Sequence, residues 1–282
     1  MKIGMVLEGG AMRGMYTAGV LDVMMENDVQ IGTVMGVSAG AVFGCNYKSR
    51  QIGRTIRYNK KYCSDPRYVS VKNLIREGDI YGEFCYSELP TKLDPFDVDT
   101  YRKTPVDFYL ACTDVHTGET IYHLCNDGGP EDIQWMRASA SMPLVSRPVR
   151  VGGYDLLDGG ITDSIPLAWM QAHGFEKNVV VLTRPEGYRK KKSSGAGIMK
   201  VLLHKYPAVA RAMKERPEKY NAQVEAVEQA AREGSVFLIR PSRLVEIERI
   251  EKNPEKLEEM YQLGRSDAAA CLADLRAFIA QA

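Results

Sequence analysis

The chain has 282 residues, with 37 Lys and Arg against 36 Asp and Glu and a formal net charge of +1, so bulk charge gives no reason to expect a nucleic-acid partner and any anionic partner must be met locally. That length suits one large α/β unit, or a core with an extension, and is enough to bury an active site. Six scattered cysteines (Cys45, Cys63, Cys85, Cys112, Cys125, Cys271), with no C-x-x-C pair, predict reduced core thiols in place of disulfides or a zinc site.

Residues 3–7 form an apolar run too short for the core of a signal peptide and read as a first strand. The turn Gly9-Gly10-Ala11-Met12-Arg13-Gly14 follows, and beyond it Tyr16, Val20, Leu21, Met24 and Met25 recur at helical spacing. Further strand-like runs at 33–37, 107–113, 179–183 and 236–239 alternate with amphipathic stretches, which predicts an α/β sheet covered by helices. From about Tyr188 a basic, polar loop leads into mostly helical patterning. The expected division is a core over 1–185 and a mainly helical region over 186–282, the latter packed on the core and completing the same sheet through 235–241. No apolar run approaches the ~20 residues of a membrane-spanning helix, so the expectation is a soluble, cytoplasmic protein.

Three segments carry chemistry. Gly36-Val37-Ser38-Ala39-Gly40 is a G-x-S-x-G set between a strand and a small-residue stretch able to start a helix, the context of a nucleophile elbow. Alone, such a pattern is more often an ordinary glycine-rich turn. The glycine loop at 9–14 shifts that balance, because acyl transfer needs backbone amides aimed at a developing oxyanion, with Gly10 and Ala11 the preferred donors. Arg13 either adds positive charge there or anchors the loop. A nucleotide site is disfavoured: Met15 and Tyr16 follow Gly14 where a P-loop needs Lys and Ser/Thr, and Ala11 occupies the second glycine position of a dinucleotide fingerprint. The third segment is Asp158-Gly159-Gly160, an acidic residue ending an apolar run.

Taken together in this order, the glycine loop, G-x-S-x-G and D-G-G resemble the patatin-like phospholipase family, supported by the stretches 111–119 and 137–143. The resemblance is strong to about residue 185 and looser beyond. Ala11 departs from it, standing where many relatives carry glycine. The resemblance implies a three-layer fold with a mixed, mostly parallel sheet and a mainly helical C-terminal extension. It also implies a serine hydrolase that cleaves carboxylic esters of lipids through a dyad, with Ser38 as nucleophile, Asp158 as base and an acyl-enzyme intermediate. The expected site is therefore Ser38 and Asp158, the loop Gly9, Gly10, Ala11, Met12, Arg13 and Gly14, and the glycines Gly36, Gly40, Gly159 and Gly160, with a lipid or other acyl ester as substrate.

Two other readings stay open. One is a Ser-Asp-His triad using His173 or His204, although His173 before Gly174 reads as a helix C-terminus. The other is a lipid-binding protein without turnover. No H-E-x-x-H or comparable cluster suggests a metal, and no cofactor is expected. Finally, ten Lys or Arg against Glu215 and Glu218 over 189–219, interleaved with apolar residues from Ile198 to Tyr206, read either as a contact with an anionic membrane surface or as a solvated face. Pro207 and Pro217 are expected to interrupt any helix there.

Overall fold

The structure is a computed structural model and describes residues 2–191 and 203–281. Strands are β1 (Lys2–Leu7), β2 (Thr33–Val37), β3 (Asp107–Asp114), β4 (Thr120–Leu124), β5 (Val149–Val151), β6 (Tyr154–Asp158), β7 (Phe175–Val181) and β8 (Val236–Ile239). Helices are α1 (Met15–Glu26), α2 (Ala39–Lys48), α3 (Arg54–Tyr62), α4 (Val71–Glu77), α5 (Glu83–Tyr86), α6 (Val98–Lys103), α7 (Pro130–Ser139), α8 (Leu167–Ala172), α9 (Pro207–Arg232), α10 (Pro254–Ala270) and α11 (Leu272–Ala280).

One mixed sheet runs in the order β5-β6-β3-β2-β1-β7-β8, with β4 also on β3. The pairs among β3, β2, β1, β7 and β8 are parallel, and β4, β5 and β6 join antiparallel. The central strands read as continuous apolar runs because both faces are covered. Met5 and Leu7 enter one core with α1, α2 and α10, whereas Val6, between them, enters a second core with Leu167 and Met170 of α8 and Tyr220, Val224 and Val227 of α9. Side-chain alternation along one strand thus separates the two helical layers.

The C-terminal region extends this architecture. β8 adds in parallel to β7, with Val181 opposite Ile239. α10 lies on α1, where the Tyr261 hydroxyl donates to Asp22 (2.7 Å) and the Tyr16 hydroxyl to Asp267 (3.1 Å). The prolines behave differently from the sequence expectation. Pro207 opens α9 at its first turn, where its missing N–H goes unneeded, and the helix continues through Pro217 for 26 residues. Burial of Tyr220, Val224, Val227 and Ala230 in the second core helps to outweigh the backbone hydrogen bond lost at Pro217. Lys192, the 193–195 loop and the apolar residues Ile198, Met199, Val201 and Leu202 with Lys200 lie outside the described residues. No described helix is long and apolar enough to cross a membrane.

Candidate active site

β3 brings the chemistry together. Its residues 109–113 pair with β4 along one edge, and the opposite edge is shared: β2 takes it as far as Val37 opposite Ala111, and β6 arrives from the other direction with Asp158 opposite Cys112. The residue after Val37 is Ser38. Two strand ends therefore converge on neighbouring register positions of one rail, which brings Ser38 and Asp158 side by side across 120 residues of sequence.

Ser38 leaves β2 with φ 55° and ψ −119° and α2 begins at the next residue. Such a backbone costs a non-glycine residue on the order of 1–3 kcal/mol, and it persists only where the surroundings enforce it. Gly36 and Gly40 are part of that enforcement: a Cβ at Gly40 would lie 2.2 Å from the carbonyl oxygen of Leu7, and one at Gly36 would lie 2.5 Å from that of Gly40. Ser139, at the end of α7 and wholly buried, completes it by accepting from the Ser38 amide (3.0 Å) and donating to the Ala111 carbonyl (2.7 Å). No spacing signal marks Ser139, since it acts across a hundred residues of chain.

Asp158 is 1% exposed. Its amide donates to the Ser141 carbonyl (2.8 Å), its carbonyl accepts from the Thr113 hydroxyl (2.9 Å), and its carboxylate accepts from the Gly160 amide (2.7 Å). Burial raises its pKa above the ordinary carboxylate value, opposed by Arg216, by a hydrogen bond from Ser38 and by the Gly160 amide. The balance is that of a fixed carboxylate with enhanced proton affinity, still held next to a hydroxyl. Gly159 starts a short turn, Gly159–Ile161, that carries the chain away from the carboxylate.

The glycine loop passes beside Ser38. Ala11 has φ 50°, the left-handed region, so the alanine that departs from the family pattern sits where its Cβ is a strain. Met12 is buried and Gly14 ends the turn that opens into α1. Burial and the nearby Arg184 hold the Arg13 guanidinium down at about 10, and its Nε has no hydrogen-bond partner.

Two cavities meet at Ser38. One, about 410 Å³, is walled by apolar side chains that include Val42, Phe43, Tyr81, Ile133, Met136 and Ile250. The other, about 80 Å³, is polar and contains Glu8, Gly9, Gly10, Asp158 and Gly160 with several basic side chains. Ala11, Ser38, Met142 and Arg249 line both. Sequence reading missed this basic wall; Lys190 and Arg216 were counted in the 189–219 charge run, yet both side chains line the polar cavity.

Among the described residues neither cavity is lined by a histidine. His173 caps α8, with Nδ1 2.7 Å from the Trp169 carbonyl; His116 pairs with Asp155 (2.8 Å); His123 stacks on Trp135; and His204 is exposed. The fold also gathers His123, Cys125 and Asp132 with ligand atoms within 4.8 Å of one another. Asp132 there accepts from the amides of Asp127 and Gly128, a turn-holding role.

A patatin-like phospholipase profile matches residues 5–168, and a profile for a domain of unknown function, DUF6363, matches 206–280. An uncharacterized protein of Escherichia coli, YjjU, is 32% identical over 199 residues, covering 65% of this chain and 52% of its own. A putative patatin-like phospholipase domain-containing protein of Caenorhabditis elegans is 26% identical over 64% of this chain and 16% of its own length. Lysophospholipase NTE1 of Eremothecium gossypii is 28% identical over 97% of this chain and 18% of its own. The chain spans about half or less of the length of these relatives.

Proposed function

Because the chain belongs to the patatin-like phospholipase family, we propose that it is a serine acyl hydrolase of lipid esters, using Ser38 as nucleophile and Asp158 as base. The observation that carries this reading is the convergence of a strained serine and a buried carboxylate on adjacent positions of β3, at the mouth of an apolar cavity. The acyl chain enters that cavity, whose size falls in the range of small-ligand pockets. Asp158 takes the Ser38 proton as Oγ attacks the ester carbonyl carbon. The tetrahedral oxyanion is held by loop amides, Gly10 and Ala11 foremost, and by the positive charge of Arg13. Collapse expels the alcohol, which receives the proton from Asp158, and a water deprotonated by Asp158 then releases the fatty acid and regenerates Ser38.

Histidine has no part in this scheme, and the positions of the four histidines support that assignment. The test is labelling with a fluorophosphonate together with hydrolysis of a soluble short-chain ester. Wild type is expected to react in both assays, Ser38→Ala in neither, and Asp158→Asn to lose turnover. Undiminished ester hydrolysis by a folded Ser38→Ala or Asp158→Asn protein would remove the dyad.

A further inference from the structure

The turn after Asp158 and the glycine loop both lie within residues 5–168, the patatin-like match, yet three side chains that grip them come from α9, inside the DUF6363 match at 206–280. Arg216, Tyr220 and Gln223 recur at the spacing that lines up one face of a helix. The Arg216 Nε donates to the Gly160 carbonyl. The Tyr220 hydroxyl donates to Glu8 (2.8 Å), at the entry to the glycine loop, and Gln223 donates to Asp163 and accepts from the Ser164 amide (3.2 Å).

Arg216 is the member of this row that reaches the base. Gly160 is held on both sides: its amide donates to the Asp158 carboxylate (2.7 Å), and its carbonyl accepts from Arg216 and from the Ser164 hydroxyl (2.8 Å). A Cβ at Gly160 would lie 3.0 Å from Asp158 Oδ1 and 3.3 Å from Arg216 Nη2. Carboxylate and guanidinium therefore flank the same point, and the second glycine of D-G-G leaves that space open. Burial raises the Asp158 pKa, and Arg216 leads the groups that oppose the rise. The other titratable and charged groups around Asp158 are Lys190 from the stretch after β7 and Cys112 from β3, with Glu8, Arg13, Arg184, Tyr188 and Arg249 on the same cavity wall.

We propose that Arg216 is a positioning residue for ester hydrolysis: through Gly160 it fixes the carboxylate of Asp158 and keeps a positive charge beside it, so that the patatin-like core draws support for its base from a helix of the DUF6363 region. The assignment deepens the hydrolase reading and rests on it. Holding Gly160 keeps the carboxylate aimed at Ser38, as proton transfer requires. The guanidinium charge favours ionised Asp158, the form that can accept the proton.

The test measures kcat and KM of the full chain across pH on an uncharged, soluble short-chain ester. Arg216→Met removes charge and donor together at similar side-chain length. It should move the acidic limb of kcat/KM upward by about one pH unit or more, and above that limb lower kcat about 10-fold or more with KM changed less than about twofold. Arg216→Lys restores the charge and should bring the limb back toward its wild-type position. Lys219→Gln, which removes an exposed cation from the same helix, should leave the limb in place because water and salt screen it. An unmoved limb in folded Arg216→Met overturns the proposal, as does a loss confined to KM, a limb that Arg216→Lys leaves as high as Arg216→Met does, or an equal displacement in Lys219→Gln. If Arg216→Met fails to melt cooperatively, Arg216→Gln takes its place, neutral yet able to hydrogen-bond, and its limb decides in the same way. Fluorophosphonate labelling and the Ser38→Ala and Asp158→Asn variants test the dyad separately. The positioning role fails alone when those variants behave as expected and the Arg216 variants keep the wild-type limb.

Discussion

The two cavities that meet at Ser38 follow opposite plans. The apolar one is built from many side chains of α2, α7 and the segments between residues 54 and 146, each removing a modest area from water. The polar one is built from a few charged groups drawn from distant parts of the chain, each costly to bury and each specific. The difference teaches where robustness lies. A wall residue of the apolar cavity shares its burial with many neighbours, whereas one altered charge on the polar side removes a large part of the charge there.

The variants with the largest expected effect act on Ser38, which lines both cavities, and on Asp158 beside it. Ser38→Ala and Asp158→Asn should each lower kcat/KM by about 10⁴-fold or more on any ester, and the double variant should fall no further, because the two groups work as a unit. Additive losses would mean that each contributes by a separate route. Replacing His173 or His204 by Ala should leave turnover close to wild type, and a ~10³-fold loss at either in a folded protein would restore the triad.

A smaller effect distinguishes the apolar wall. Ile133→Trp, which fills space in the apolar cavity, should lower kcat/KM for long-chain esters by roughly 10–200-fold while sparing a butyrate ester, as expected for a few displaced methylenes. Equal losses on both chains would indicate that the variant disturbs Ser38 instead of the cavity.

Smaller again is the pH and stability signature of Asp158. A base acts as carboxylate, so kcat/KM on an uncharged ester should fall as pH drops through the raised pKa, placing the acidic limb above the ordinary value of ~3.9. The same shift has a stability consequence. A folded-state pKa above the unfolded one contributes stability that is present at low pH and lost as pH rises through the folded value. At pH 7 the buried charge is therefore a burden, and Asp158→Asn should melt higher, on the order of 2–4 °C for each kcal/mol relieved. A lower melting temperature at pH 7 would assign more of the balance to Arg216.

The smallest expected effect concerns the outer surface. Lys191, Lys205 and Arg211 are exposed, in contrast to Lys190 and Arg216 in the cavity. Changing all three to Gln should weaken binding to vesicles containing anionic lipid by about fivefold per charge at low salt, and less at higher salt. Unchanged affinity would assign these charges to ordinary solvation.

Much of the fold was legible because it depends on short-range pattern. Apolar runs at 3–7, 33–37, 107–113 and 236–239 became β1, β2, β3 and β8, since strands covered on both faces carry no polar alternation. β4 and β5 were missed: Thr120–Leu124 is half-exposed and lacks a continuous apolar run, and Val149–Val151 is only three residues long. Pro217 was read as a helix break because local propensity disfavours it, but tertiary burial of the turns that follow kept α9 intact.

For the candidate site, the sequence by itself determined the units: a glycine turn entering a helix, a serine between two glycines at a strand end, and an aspartate before two glycines. Backbone geometry within a few residues dictates those choices, so they are written locally. Only the tertiary structure decided that β2 and β6 end on neighbouring positions of one edge of β3, that Ser139 clamps the Ser38 amide, and that Arg184, Lys190, Arg216 and Arg249 face the same small space. Register between strands and the gathering of charges depend on pairings made across a hundred or more residues, and in a single sequence such pairings leave no periodic trace.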